Sequence, residues 1–368
     1  MVQCVLKVRG ASRRLITACA MCAVLLTSAP AVAAKKPKQA VSGPTPPELL
    51  LEGGRKLVYE RSFASEREVR KKPGFFSKVI NVIAGEATPH TMVRPYAIAV
   101  DSRGRAFVTD PGAGGVHIFD FAQQKYKFFQ RQEKGKDPML MPQCIAIDAQ
   151  DNVYVTDSKV GKIFVFNSDG KYQRAIGSLK GGEGLFKRPT GIAVDSAAQH
   201  IFVTDTLRDQ VFVLDMQGSV LQKIGKRGEH PGEFNLPTEL KLHGNELVVV
   251  DAMNFRIQML NRDGSVRSAF GQNGDESGDM FRPKGVAVDS EGHYYVVDGL
   301  WGVIQVFDRE GRLLYYFGKR GTGFGDFQLP AGVFIDAQDQ IFVVDSYNRR
   351  VQVFKYFGLP TAAKGGVQ

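Results

Sequence analysis

The chain lacks most of the features by which an enzyme or a disulfide scaffold is recognised. Its 368 residues include four cysteines and one tryptophan. Three of the cysteines lie within the first 33 residues, so a chain processed after that segment keeps only Cys144 and cannot form an intramolecular disulfide. After residue 33 the sequence contains no GxSxG, P-loop or CxxC motif. We therefore interpret Cys144 as a small core residue rather than a nucleophile.

The sequence also lacks an apolar run that is long enough to span a membrane comfortably. Its N-terminal apolar run, Leu15 to Leu26, follows four basic residues and precedes Ala31-Val32-Ala33. This order is typical of a signal peptide and predicts cleavage near Ala33. Cleavage would lower the formal net charge from +10 to +6, because it removes four basic and no acidic residues. We expect an exported protein, periplasmic or secreted, with no transmembrane anchor; general secretion and twin-arginine export both stay open.

A repeat dominates the rest of the chain. Six prolines recur at intervals of 46 to 48 residues: Pro95, Pro142, Pro189, Pro237, Pro283 and Pro330. Six aspartates follow them by 14 to 16 residues: Asp110, Asp157, Asp205, Asp251, Asp298 and Asp345. The repeats therefore start near residues 94, 141, 188, 236, 282 and 329.

The clearest copy, Arg188 to Gly225, predicts four strands. The segments 191–194, 201–204, 211–214 and 220–224 are apolar or alternating, and turn-forming residues separate them. The apolar spacing of three and four that marks a helical repeat is absent. Four antiparallel strands in about 47 residues are typical of a propeller blade.

Three copies carry a more specific pattern: Asp251 to Gly264, Asp298 to Gly311 and Asp345 to Gly358. They resemble the NHL repeat, in which an apolar strand ending in Asp is followed by Asn-x-Arg and an Ile-Gln-Val-Phe-Asp strand. The resemblance covers roughly residues 94–357 and implies an all-β, six-bladed β-propeller of four-stranded antiparallel blades. It implies little about function, because the family includes RNA-binding, protein-binding and lyase members.

A closed ring requires a further strand for blade six. The segment Arg55 to Phe63 has strand composition, and we predict that it closes the ring at the outer edge of that blade. Helical apolar spacing after Pro73 predicts a short helix, Gly74 to Ile83. The alternative that Ser77 to Ala84 is the closing strand stays open.

These predictions divide the chain into four parts. Residues 1–33 are a signal peptide, 34–50 a flexible linker, 51–358 the propeller and 359–368 a disordered tail. We interpret the six repeated aspartates as structural, since a side chain required in every blade is usually needed by the blade itself. Each can accept hydrogen bonds from the following turn, or pair with an arginine such as Arg256 or Arg350.

Departures from the repeat supply the candidate binding residues. The residue before each proline alternates between arginine and an apolar residue, so Arg94, Arg188 and Arg282 could surround the mouth of the central channel and bind an anion or an acidic partner. The alternative is that each pairs locally on its own blade.

Blade four carries Glu239 and Lys241 where the other blades have small or apolar residues. This predicts a charged pair near the axis, whose two members either neutralise each other or line the channel.

The loops after the repeated aspartates form the predicted binding rim. Their basic and aromatic residues are Lys159, Lys162, Arg208, Phe255, Arg256, Trp301, Tyr347, Arg349 and Arg350. This composition is typical of binding surfaces. The six histidines occupy unrelated repeat positions, so we expect no metal and no cofactor.

We therefore expect an exported, non-catalytic scaffold. Its partner would be another envelope or secreted protein, or an anionic macromolecule. A metal-dependent lyase or lactonase with its site in the channel is the first alternative, and a nucleic-acid-binding propeller is the second. Export argues against the latter.

Overall fold

A computed structural model describes residues 47–70, 89–130, 138–178 and 184–358. Four predictions lie outside these residues: the signal peptide, the helix at 74–83, the alternative closing strand at 77–84 and the C-terminal tail. Glu48–Leu50, inside the predicted linker, forms a short strand.

Twenty-five strands and three short 3₁₀ helices make up the described chain. The strands are β1 (Glu48–Leu50), β2 (Lys56–Phe63), β3 (Ile98–Val100), β4 (Ala106–Asp110), β5 (Gly115–Asp120), β6 (Lys125–Phe129), β7 (Pro142–Ile147), β8 (Val153–Asp157), β9 (Lys162–Phe166), β10 (Tyr172–Ile176), β11 (Pro189–Asp195), β12 (His200–Asp205), β13 (Gln210–Asp215), β14 (Val220–Ile224), β15 (Pro237–His243), β16 (Glu246–Asp251), β17 (Arg256–Asn261), β18 (Val266–Phe270), β19 (Pro283–Val288), β20 (Tyr294–Asp298), β21 (Val303–Phe307), β22 (Leu313–Phe317), β23 (Val333–Ile335), β24 (Gln340–Asp345) and β25 (Arg350–Phe357). The 3₁₀ helices are Glu52–Gly54, Glu66–Glu68 and Ala252–Asn254.

The strands form six antiparallel sheets, one for each predicted blade. Within blades one to five, consecutive strands pair in chain order, from the innermost strand outward. Each innermost strand contacts the innermost strand of the next blade, and β23 of blade six contacts β3 of blade one. The six sheets therefore surround one axis, and the prediction of an all-β six-bladed propeller is confirmed.

Burial explains why these segments are strands. The second strand of a blade is enclosed on both faces, so that Val153–Asp157 is buried throughout. The fourth strand is the outer edge, and in Val220–Ile224 only the last residue is buried. Continuous β-branched and aromatic runs therefore suit the enclosed second strand, whereas polar residues are tolerated in the fourth strand at the outer edge.

The N-terminal strand closes the ring. Strand β2 pairs antiparallel with β25, from Lys56 opposite Phe357 to Phe63 opposite Val351. The prediction that Arg55 to Phe63 supplies this strand is confirmed. Blade six has five strands rather than four, because β1 adds to the free edge of β2.

Six apolar residues, each three positions before a proline, lie at the joints between blades. They are all buried: Met92, Met139, Phe186, Phe234, Met280 and Phe327. The backbone must approach them closely. At Gly225, which has φ of +81°, a β-carbon would lie 2.4 Å from the Phe234 ring, so only glycine fits.

We predict that truncating the closing strand's last side chain weakens the whole ring. Phe63 is buried and packs 4.7 Å, centroid to centroid, from Phe119 of blade one. Phe63→Ala should lower the free energy of unfolding by about 3–5 kcal/mol, measured by urea denaturation. Leu50→Ala, at a side chain that is 77% exposed, is the control and should change it by less than about 0.5 kcal/mol. A loss below about 1 kcal/mol for Phe63→Ala would contradict a clasp at this position.

Candidate binding face around the channel mouth

The six repeated aspartates fix one face of the ring, which we call the mouth face. Each side chain is buried, with no exposed surface. In blade one, Asp110 accepts hydrogen bonds from the backbone N–H groups of Val93 (2.6 Å) and Arg94 (2.9 Å), just before Pro95. Equivalent bonds run from residues 140 and 141 to Asp157, 187 and 188 to Asp205, 235 to Asp251, 281 and 282 to Asp298, and 328 to Asp345. The approach to each innermost strand and the turn after each aspartate therefore share one face.

Three exposed arginines stand at equivalent positions on this face. Arg94, Arg188 and Arg282 directly precede their prolines, and their backbones are held by the aspartates of their own blades. The backbone carbonyl groups of Arg188 and Arg282 also accept hydrogen bonds, from the Thr206 and Gly299 N–H groups. Within the described residues, the guanidinium groups of the three arginines pair with no acid. Local pairing, the alternative considered from the sequence, is not observed in this part of the chain.

Two of these arginines act on the same hydroxyl, that of Tyr96 in blade one. Burial and then the charge of Glu239 raise the pKa of Tyr96, whereas the positive charges of Arg188 and Arg282 lower it. Charges from blades three, four and five thus reach one group on blade one.

The unusual charges of blade four form an ion pair near this axis. Lys241 Nζ lies 2.8 Å from Glu239 Oε1, and the Glu239 side chain is only 4% exposed. Burial is the largest influence on the pKa of Lys241 and lowers it, but the charges of Glu239 and Cys144 and the hydrogen bond to Glu239 together leave the pKa raised. The same carboxylate oxygen lies 3.6 Å from Cys144 Sγ. Burial and then Glu239 raise the pKa of Cys144 to about 12, so the thiol is neutral and a poor nucleophile at neutral pH.

Lys284 is a charged residue at the mouth that sequence reasoning missed. It directly follows Pro283 on β19, at the position that Tyr96 occupies in blade one. Burial and then the neighbouring Arg282 lower the pKa of Lys284 to about 8, with Asp298 acting in the opposite direction. The only sequence signal was a lysine where the other blades have Tyr, Gln, Thr or Ala.

Two arginines of the predicted rim are internal ties. Arg256 Nε donates to Asp251 (2.9 Å), and its other nitrogens donate to the carbonyl oxygens of Glu229, His230 and Glu233. In blade six, Arg350 Nε donates to Asp345 (2.7 Å), and its Nη2 donates to two carbonyl oxygens. Both side chains are 14% exposed. They join each buried aspartate to the connection from the preceding blade.

The remaining rim residues differ in exposure. Tyr347, Arg349 and Lys159 are exposed, whereas Phe255, Trp301 and Arg208 are partly buried. Phe255 adopts the left-handed conformation with φ of +54° at the end of a 3₁₀ helix. Arg208 lies 3.2 Å from Asp205, and Lys162 is buried. The freely presented part of the rim is therefore smaller than the sequence suggested.

The described residues supply neither a metal site nor a membrane-spanning helix. Within the described ranges, His, Cys, Asp and Glu side chains form no group of three or more that could hold a metal ion. In the same part of the chain, no helix has the length and apolar character to cross a membrane.

Comparison with known families agrees with the geometry. The NHL repeat model matches residues 139–166 and 327–354, and a family described as a six-bladed beta-propeller matches residues 193–264. The chain is a six-bladed β-propeller that contains NHL repeats. No curated protein is significantly similar to this propeller in sequence.

Solved structures share the propeller's fold. An inactive virginiamycin B lyase from Staphylococcus aureus, crystallised with quinupristin, has a TM-score of 0.52 and 16% identity, covering 73% of this chain and 86% of its own. A gluconolactonase from Xanthomonas campestris has a TM-score of 0.56 and 16% identity over 84% and 92%. An auxiliary nutrient binding protein from Bacteroides thetaiotaomicron has a TM-score of 0.55 and 13% identity over 72% and 69%. Enzymes and a binding protein thus share this fold.

We predict that the internal arginine ties of this NHL propeller contribute strongly to stability. Arg350→Ala leaves the buried Asp345 without its guanidinium, and should lower the free energy of unfolding by about 3–5 kcal/mol in urea denaturation. The exposed neighbour Arg349→Ala is the matched control and should cost less than about 0.5 kcal/mol. Equal effects of the two substitutions would show that Arg350 is not a tie.

We also predict that Lys284 titrates at an unusually low pH. Because its pKa is about 8, amine acylation followed by peptide mapping should show half-maximal labelling near that pH. N-acetyl-lysine methylamide, labelled in the same reaction, is the control, because an unperturbed lysine amine has a pKa of about 10.4. Arg282→Gln should move the Lys284 midpoint upward, since it removes a nearby positive charge. A Lys284 midpoint equal to that of the model compound would contradict this assignment.

Proposed function

We propose that this NHL propeller is an exported, non-catalytic scaffold that binds a protein or another macromolecule through its mouth face. The observation that carries the proposal is the set of three exposed arginines, Arg94, Arg188 and Arg282, each held by its backbone and unpaired with any described acid. An arginine of this kind recognises carboxylate or phosphate by paired hydrogen bonds. Export rests on the predicted signal peptide.

The rest of the mouth face supports binding. Tyr347 is exposed and Trp301 partly so, and amphipathic aromatics of this kind often anchor interfaces. The backbone beneath them is fixed by buried aspartates, so little conformational entropy would be lost on association. An acidic surface on an envelope or secreted protein, or another polyanion, would complement this face. The expected cofactor requirement remains none.

A lyase or lactonase acting at the channel mouth is the second candidate. The virginiamycin B lyase and the gluconolactonase of similar fold favour it, as does a lysine with a pKa of about 8 at the mouth. Turnover of a lactone or of quinupristin by the purified protein, lost in Lys284→Met, would support this candidate against the first. A nucleic-acid partner would instead show affinity that falls steeply with salt.

The first experiment compares the wild type with Arg94, Arg188 and Arg282→Glu by cross-linking and co-purification of the mature protein from its native envelope fraction. The charge-matched control changes Lys125, Lys171 and Arg309 to Glu, all exposed and outside the mouth face. We expect a partner that the wild type and the control retain and the mouth variant loses by at least about tenfold, the loss of two or more charge-assisted bonds. Retention of that partner by a folded mouth variant would refute the arginine mouth as the binding site.

A further inference from the structure

Blade five departs from the NHL pattern at its arginine. Blades four and six carry Asn254-Phe255-Arg256 and Asn348-Arg349-Arg350, whereas blade five has Trp301-Gly302-Val303. The asparagine and the arginine that tie the other two blades are both replaced. Blade five therefore lacks two of the side chains that donate hydrogen bonds to the connection from the preceding blade.

The rest of the framework in blade five is unchanged. Its connection makes the same parallel bridge as the other two, Asn273 to Met280, equivalent to Arg227 to Phe234 and Arg320 to Phe327. Gln305 donates to the Asp279 carbonyl at 2.7 Å, as Gln258 does to Glu233 at 2.8 Å. It also accepts from the Gly278 N–H at 3.1 Å. The backbone of this connection therefore follows the same path as in blades four and six, although the arginine is absent.

A cavity of about 230 Å³ occupies the place of that side chain. Val303, Asp275 and Glu276 are among the residues that line it. Asp275 and Glu276 correspond to Glu229 and His230, whose carbonyl oxygens accept from Arg256 in blade four. The other lining residues are Ser277, Gln305, Trp301 and the 53%-exposed Tyr316. In chemical terms the cavity has carbonyl acceptors, two carboxylates and aromatic walls.

We propose that this cavity binds the guanidinium group of an arginine side chain from a partner protein, which replaces the arginine that blade five lacks. The fold itself supplies the precedent, because Arg256 and Arg350 occupy the equivalent space with the equivalent carbonyl acceptors. A guanidinium suits planar stacking on aromatic rings and several hydrogen bonds at once, whereas an ammonium makes fewer directed bonds. The inference rests on the proposed binding function of the mouth face and names one contact within it.

The single tryptophan makes the site directly measurable. Trp301 is the only tryptophan of the chain, so its fluorescence reports on this cavity alone. We expect a saturable fluorescence change with N-acetyl-arginine methylamide. The citrulline analogue has nearly the same shape without the charge, and should bind at least about tenfold more weakly. Val303→Thr leaves the cavity open and should retain the response.

A second test supplies the arginine within the chain. Val303→Arg should abolish the fluorescence response and raise the melting temperature by about 4 °C or more, because the new side chain meets acceptors already in place. Val303→Met supplies an unbranched chain that matches the aliphatic part of arginine without the guanidinium, so it should fill part of the cavity without the stabilisation. Asp275→Asn with Glu276→Gln should weaken the arginine response without unfolding the protein.

The two proposals can fail separately. If the arginine probe gives no saturable change, or the citrulline analogue binds equally well, the arginine cavity is refuted while the mouth-face partner assay still stands. If the probe binds as expected, with Val303→Arg blocking it, the cavity is supported whatever the envelope assay captures. Should Val303→Arg fail to fold, the comparison of wild type and Val303→Thr with the two probes decides the matter.

Discussion

The buried aspartate at the end of each second strand is the contact on which the mouth face depends. Asp110, for example, accepts hydrogen bonds from the approach to its own innermost strand and from the turn that follows it. A carboxylate without exposed surface is costly to leave unpaired, so both loops are held in place together. The residues just before each proline are consequently presented on a fixed backbone, and the arginines among them are positioned before any partner arrives.

The charged and aromatic residues that depart from the repeat lie close together in the ring. The Glu239–Lys241 pair, Lys284 and the Trp301–Val303 substitution each occupy a position that other blades use for packing or for internal ties. Blades four and five hold all three departures. Rings of similar fold include enzymes and a binding protein, so the architecture alone does not choose between these activities. These departures lie in neighbouring blades and so place charged and aromatic groups in one sector of the ring.

Much of the fold could be predicted from the sequence, since proline and aspartate intervals count blades directly and Arg55 to Phe63 had strand composition without a repeat of its own. The three-residue strand Glu48–Leu50 was too short to show a pattern. The site was harder to predict. The pairing of Arg256 and Arg350 with repeated aspartates was predicted and is confirmed. Their placement on the binding rim was wrong, because a sequence does not show which carbonyl oxygens lie within reach. Lys284 and Tyr96 were missed because convergence across the ring depends on three-dimensional closure.

The clasp between β2 and β25 also has a consequence for how the chain folds. Lys56 pairs with Phe357, so β2 and β25 join residues that are separated by almost the whole propeller sequence. Loop-closure entropy of that size must be overcome before the contact forms, and such long-range pairing slows folding. Until then two unpaired strand edges remain open, which invites association with other chains. The fifth strand, β1, pairs with the opposite edge of β2 and is the outermost strand of the closed blade.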